Sequence, residues 1–122
     1  MEMRLCALLQ KPIFGSTALP AMKALELATL GGAKTLGVQN KLGQLKENFI
    51  ADIVTIDRSH PSVSTIDNPY SAIVYSCSGR DVINTIIDGK LVVKNKIHQI
   101  FDHQETTDIA RLELSKMFTR IF

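Results

Sequence analysis

The stretch Val82-Ile83-Asn84-Thr85-Ile86-Ile87-Asp88-Gly89-Lys90-Leu91-Val92-Val93 decides how this chain is read. Two apolar, β-branched runs flank Asp88-Gly89. Asp-Gly between such runs is the strongest short-range sign of a two-residue hairpin, because both turn positions need positive φ. The stretch predicts two antiparallel strands, with Asp88 and Gly89 as structural turn residues. Upstream, Ala51-Asp52-Ile53-Val54-Thr55-Ile56-Asp57 reads as a further strand. Ile53, Val54 and Ile56 fall on both of its sides, so both faces of the sheet are expected to be covered. Downstream, Asn95-Lys96 reads as another turn. Three or four strands make only a small sheet, which needs a second layer. The helices are expected to cover one face at most.

Helices flank the sheet. Met1 to Leu9 carries Met3, Leu5, Leu8 and Leu9, with Pro12 and Gly15 expected to end it. It starts without a capping residue or a preceding loop. Pro20 suits the first turn of a second helix. Ala21, Ala24, Leu25 and Ala28 then follow helical spacing, and the small residues imply close packing. Gly31-Gly32 is expected to interrupt this helix before a short turn from Ala33 to Leu36. Gly37 is its structural C-terminal stop. His60-Pro61 to Asn68 reads as a loop, and Pro69 to Tyr75 suits a short helix or a strand. Asp102 is expected to cap a last helix, with Glu105 three residues on. Ala110, Leu114, Met117 and Ile121 line one face of it, and Ile109 and Leu112 are expected to widen the stripe. Helix, helix, strand, loop, hairpin, helix is an α+β order.

Length and charge bound the rest. A chain of 122 residues allows one domain and excludes a closed eightfold β/α barrel, which needs about 250. Hydrophobic residues at 45% and charged residues at 21% describe a globular chain. Fourteen Lys+Arg against twelve Asp+Glu give no field that would draw nucleic acid or an anionic membrane. Lys90, Lys94, Lys96 and His98 read as a solvated strand edge. Cys6 and Cys77 form no C-x-x-C pair, and two thiols do not make a disulfide scaffold. With no signal-peptide pattern and no apolar run of about 18 residues, a cytoplasmic protein is expected.

The search for chemistry finds little that assembles. His60, His98 and His103 form neither H-x-H nor H-E-x-x-H spacing. His98, Asp102 and His103 hold the right atoms for zinc, but they straddle a strand end and a helix cap. Ser76-Cys77-Ser78-Gly79 is not the G-x-S-x-G elbow and reads as a small-residue turn. Asp52 and Asp57 stand five apart, on opposite faces of a strand, and mark its start and end. Arg4, Arg80 and Asp81 are candidate functional polar residues, although Arg80-Asp81 is more simply a turn into the hairpin. No glycine-rich phosphate loop is present. The residues alone assign no catalytic and no metal-binding position.

Three segments together carry a resemblance. The first is Met3-Arg4-Leu5 to Leu9, Thr17-Ala18-Leu19-Pro20-Ala21 to Ala28-Thr29, then Gly32-Ala33-Lys34 and Leu36-Gly37. The second is Leu42-Gly43-Gln44-Leu45, followed by Ala51-Asp52-Ile53-Val54 and Asp57. The third is Asn68-Pro69-Tyr70-Ser71, Ile73-Val74-Tyr75-Ser76, Gly79-Arg80-Asp81-Val82 and Ile87-Asp88-Gly89-Lys90 with Val92-Val93. In this order they resemble the C-terminal end of metal-dependent amidohydrolases. The nearest branch is that of the chlorohydrolases and methylthioadenosine/S-adenosylhomocysteine deaminases. The resemblance covers nearly the whole chain, through order and spacing rather than one specific motif.

The resemblance implies an incomplete TIM-barrel amidohydrolase. Residues 1–41 resemble the helices that finish the barrel, 42–100 the C-terminal share of a small β-sandwich, and 101–122 a last helix outside it. The family's metal ligands, an H-x-H pair, two later histidines and an aspartate, precede the region that matches Met1. No metal ligand therefore carries over to this chain, and a zinc-type divalent metal is implied only for a full-length parent. The expected role is structural, in an enzyme that deaminates or dechlorinates a purine-like or triazine-like ring; the chain alone is expected to be inactive. A stand-alone assembly or binding module and one half of a split enzyme are the other readings. Phe49 and Ile50 depart from the family pattern, where basic residues are usual, and read as loop packing or as an association surface. Asn48 takes the place of a glycine and tolerates left-handed backbone. Asn95-Lys96 stands where an acidic-glycine turn is commoner. The expected partners are further copies of the chain or the missing barrel portion.

Overall fold

In the computed structural model, which describes residues 1–121, four strands form one antiparallel meander. They are β1 (Ile53–Ile56), β2 (Val82–Ile87), β3 (Lys90–Lys94) and β4 (Ile97–His98), paired in that order. Asp88 and Gly89 sit at φ 50° and 74°, the pair of positive angles that the β2–β3 turn needs. The Asp88 amide donates to Asp52 Oδ1 at 2.8 Å, and the Gly89 amide to the Ala51 carbonyl at 3.1 Å. The hairpin tip is thereby tied to the start of β1. Asn95 and Lys96 repeat the geometry at φ 49° and 68° and return the chain into β4, a strand with no sequence signal of its own. A bulge in the β1–β2 ladder leaves Ile83 of β2 unpaired; in β1, Ile53 and Ile56 are half-buried while Val54 and Thr55 are exposed.

The helices depart from expectation in three places. α1 runs Glu2–Phe14, through Pro12 rather than ending there. Proline there removes its own hydrogen bond and crowds the carbonyl four residues back, but only two helical residues follow it. Lys11 ties the helix end to the turn that follows, donating through Nζ to Ser16 O at 2.7 Å and Ala18 O at 3.2 Å. α2 starts at Ala21 and is not interrupted at Gly31-Gly32. It widens into a π turn over Leu27–Gly31 and resumes α geometry over Gly32–Thr35. It ends as predicted at Gly37, φ 72°, with Gly37 N–H on Lys34 O and Val38 N–H on Ala33 O. The stretch read as a loop holds α3 (Pro61–Ser64), which His60 caps and whose Val63 is fully buried. α4 (Pro69–Ser71) continues as a π turn over Ala72–Ser76, so this segment is helical.

Two small cores result. Ala7, Ala21, Ala24 and Val74 form one, flanked by Met3, Leu19, Leu25 and Tyr75. Val63, Ala72 and Cys77 form the other, flanked by Ile56 and Ile66. The Ala21–Ala24 face packs closely, as its small residues predict, whereas Ala28 is exposed. Among the described residues, no strand residue is buried. α5 (His103–Ile121) is capped by Asp102, whose Oδ1 accepts from the Gln104 and Glu105 amides at 2.7 and 3.0 Å. Its row of Ala110, Leu114 and Met117 is exposed; the side chain of Ile121 lies outside the described residues. At 100° per residue Ile109 flanks that row, about 110° from its centre, while Leu112 falls on the opposite side of the helix; both are exposed. The chain exposes 9430 Å², where a compact chain of this mass exposes roughly 6,500 Å².

Candidate functional site

A polar junction of long sequence range lies where α1 meets the π turn that follows α4. Arg4 reaches across more than 70 residues of sequence to donate through Nη2 to Cys77 O at 3.1 Å and through Nε to Val74 O at 3.4 Å. Its guanidinium is half-buried and serves carbonyls that the π turn leaves free. This makes Arg4 a brace between the N-terminal helices and the C-terminal half of the chain.

Ser76-Cys77-Ser78-Gly79 sits directly beside that brace. Burial pushes the Cys77 thiol up, and Asp81 adds in the same direction, so the thiolate a nucleophile needs is disfavoured. Ser78 caps the short 3₁₀ turn Gly79–Asp81. Its Oγ accepts from the Arg80 amide, while Asp81 Oδ2 accepts from the Ser78 amide at 2.7 Å and from Ser78 Oγ at 3.1 Å. The Ser78 amide bond holds the Asp81 carboxyl below its usual range. Ser78, Arg80 and Asp81 are thus a turn, as their sequence suggests.

The carboxylates at the two ends of β1 do separate work. Asp52 anchors the hairpin tip. Asp57 Oδ1 accepts from the Ser59 amide at 2.8 Å, which holds Asp57 below its usual range, while its own amide donates to Asp81 O. Cys6 is exposed and unpaired.

An open groove of about 620 Å³ lies between β4 and α5, lined in part by Lys96, His98, Phe101, Asp102 and His103. His98 stacks on Phe101, ring centroids 3.7 Å apart, and His103 meets the same ring edge-on at 6.1 Å. His98 Nδ1 accepts from the Ile100 amide at 3.2 Å. Asp102 is committed to its cap, and its two backbone bonds, Glu105 before Gln104, keep its pKa low. Phe49 is half-buried, with Lys46 Nζ 5.5 Å from its ring centroid, whereas Ile50 is 38% exposed. Asn48 lies at φ 66°, the left-handed conformation expected of it.

Gly43 carries a role that the sequence does not reveal. It turns at φ +88° against α2, and a Cβ there would stand 2.9 Å from Ala33 Cβ and Thr29 O and 3.0 Å from Leu30 Cα. The glycine is visible in the sequence as a turn residue; the backbone it approaches is not. Arg4 is visible as a charge in an apolar run, but its carbonyl partners lie at least 70 positions away.

Comparison with known proteins places these elements. The Amidohydrolase family matches residues 1–92. A 5-methylthioadenosine/S-adenosylhomocysteine deaminase from Acetivibrio thermocellus is 35% identical over 105 residues, 85% of this chain and 24% of that protein. The crystal structure of an adenosine deaminase from Xanthomonas campestris with bound zinc superposes with TM-score 0.90 at 28% identity, covering 97% of this chain and 27% of that one. Atrazine chlorohydrolase from Arthrobacter aurescens TC1, complexed with zinc, shares the fold at TM-score 0.81 and 23% identity, over 91% of this chain and 25% of its own. The chain spans about a quarter of the length of the curated relatives it matches.

The zinc in two of those structures sets a test for the donors here. Among the described residues, no three of His, Cys, Asp and Glu converge on one point. His60 Nδ1 caps α3 and accepts from the Ser62 amide. His98 and Asp102 are occupied as described above. Among the described residues, these donors do not form a zinc centre.

Proposed function

This chain belongs to the amidohydrolase family, and from that premise we propose that it is the C-terminal structural portion of a metal-dependent deaminase of an adenine-type ring. One observation carries the reading. A chain that matches a quarter of its relatives' length leaves roughly 2,900 Å² more surface exposed than a compact chain of its mass. Surface on that scale belongs to an obligate interface rather than to a free domain. The catalytic metal and the ring pocket are then supplied by residues outside this chain, and the chain contributes packing: α1 and α2 beside the catalytic body, and the β1–β4 sheet as one layer of a sandwich. Deamination is preferred to C–Cl hydrolysis because the likeness to the atrazine enzyme supports the fold alone. Two unpaired thiols suit a cytoplasmic setting. Phe49 and Ile50 offer a contact surface for a further copy, and Ile50→Ser is expected to reduce the mass seen by light scattering.

Intact mass spectrometry of the endogenous protein tests the main reading. A species several times heavier than 13.5 kDa, with zinc-dependent release of ammonia from an adenine nucleoside, is the expected result. A 13.5 kDa species that purifies without an amidohydrolase partner would overturn it.

A further inference from the structure

We propose that Asp88-Gly89 is a site of spontaneous backbone isomerisation to isoaspartate, and that Ala51 and Asp52 at the head of β1 restrain it. The inference stands apart from the family reading, because it concerns only the hairpin tip. Three observations meet there. Asp88 is the one aspartate or asparagine in the sequence that a glycine follows. Glycine leaves the nitrogen after Asp88 unshielded by a side chain, and a Cβ at Gly89 would find nothing within 4 Å. Both residues are exposed, and Asp88 sits at φ 50°, a backbone conformation that a residue with a Cβ adopts at a cost.

The reaction needs only water. The Gly89 nitrogen attacks Asp88 Cγ and a new N–C bond forms. The carboxyl hydroxyl leaves as water, taking the amide proton, and a succinimide ring remains. Water then adds to one of the two imide carbonyls. Opening at Cγ restores aspartate. Opening at the original carbonyl carbon leaves isoaspartate, an isomer of equal mass whose main chain runs through Asp88 Cβ and Cγ.

The fold supplies the restraint. In the closed imide the Gly89 nitrogen carries no hydrogen, so its bond to Ala51 O, 3.1 Å in the hairpin, is given up before the ring can form. The Asp88 amide is tied to the same strand by Asp52 Oδ1 at 2.8 Å. With both amides held, the turn opposes the backbone rotation that brings the nitrogen onto Cγ. Isoaspartate adds one atom to the main chain of a two-residue turn. The pairing of Ile87 with Lys90, and of Ile86 with Leu91 behind it, then loses its register.

Ageing the full 122-residue chain tests the assignment. Folded protein and the same protein held in urea are incubated in parallel. Isoaspartate is read by enzymatic methylation of isoaspartyl groups and mapped to its residue by fragmentation mass spectrometry. The folded chain is expected to accumulate it at residue 88 at least about fivefold more slowly, the factor that one net hydrogen bond is worth. Asp52→Ala is expected to remove most of that difference. Asp52→Asn keeps an oxygen for the Asp88 amide and is expected to age within about twofold of the wild type. Asp88→Glu, which would have to close a larger ring, is expected to give no product at this position. Circular dichroism confirms that each variant is folded. Equal rates in the folded and urea-held chains overturn the restraint, and this comparison needs no variant. A folded Asp52→Ala protein that ages like the wild type overturns the role of Asp52. Absence of isoaspartate at residue 88 from the urea-held chain overturns the site itself.

Discussion

Gly43→Ala is the sharpest single perturbation of this fold. Two costs combine at that position. The first is conformational: φ is +88°, and a residue with a Cβ at such an angle costs about 1–2 kcal/mol. The second is steric. The new Cβ would meet Ala33 Cβ and Thr29 O at 2.9 Å and Leu30 Cα at 3.0 Å. Two of those three atoms are backbone of α2 and cannot rotate away, so overpacking adds about 1–3 kcal/mol. Together they give about 2–5 kcal/mol, a fall in Tm of about 8–20 °C at roughly 4 °C per kcal/mol for a domain of this size. Gly37→Ala isolates the first cost, since Gly37 lies at φ +72° and a methyl group there would find nothing within 4 Å. That variant is expected to lose only about 4–8 °C. Adding Ala33→Gly to Gly43→Ala should recover part of the loss and no more, because Thr29 O and Leu30 Cα remain. Thermal unfolding followed by circular dichroism reads all four proteins. A Gly43→Ala melting point within about 2 °C of that of Gly37→Ala would refute the close approach to α2.

Arg4→Ala strips two half-buried carbonyls of their charged donor and is expected to cost about 2–3 kcal/mol in denaturant unfolding; Arg4→Lys should restore only part, because one ammonium lacks the fork that reaches both. No change in midpoint would show that the brace is idle. Gly89→Val meets no neighbour but forces a β-branched residue to φ +74°, so about 1–2 kcal/mol is expected, and an unshifted melt would show that the turn tolerates it. Asp57, Asp81 and Asp102 are all held below their usual pKa by backbone amides. A depressed folded-state pKa adds stability above the unfolded value, lost as pH falls through the folded one. Stability should therefore hold flat above about pH 4 and decline below it. Asp102→Asn, which keeps the cap, should remove the part of the decline that belongs to α5, and an unchanged acid profile of helicity would count against that cap.

How much of this is legible in the sequence depends on the range of the interaction. The Asp88-Gly89 hairpin, the Gly37 stop and the Asp102 cap are set within four or five residues, and the structure has all three. Pro12 and Gly31-Gly32 mislead for the opposite reason. Their intrinsic cost is real, but α1 needs only two residues beyond Pro12, and α2 absorbs its glycines in a π turn. α3 escapes a sequence reading because its one buried residue, Val63, stands among polar neighbours, so no periodicity announces it. Leu112 falls on the wrong side of α5 for the stripe it seems to extend, since apolar residues counted without their angles carry no face.

The site is less legible than the fold, and the reason is physical rather than statistical. Most of the polar groups that look chemical have a nearer claim on them. Ser78 and Asp81 satisfy each other, Asp52 holds a turn, His98 and His60 accept from amides two residues on, and Asp102 binds the first turn of α5. A catalytic group needs free valence aimed at a common point, and among the described residues no three His, Cys, Asp or Glu side chains converge. The apolar residues have the reverse character. Leu5, Leu9, Ile13 and Leu114 stand about half or more exposed at helical spacing. At these helical positions the exposed capacity among the described residues is apolar, in keeping with the structural role proposed above.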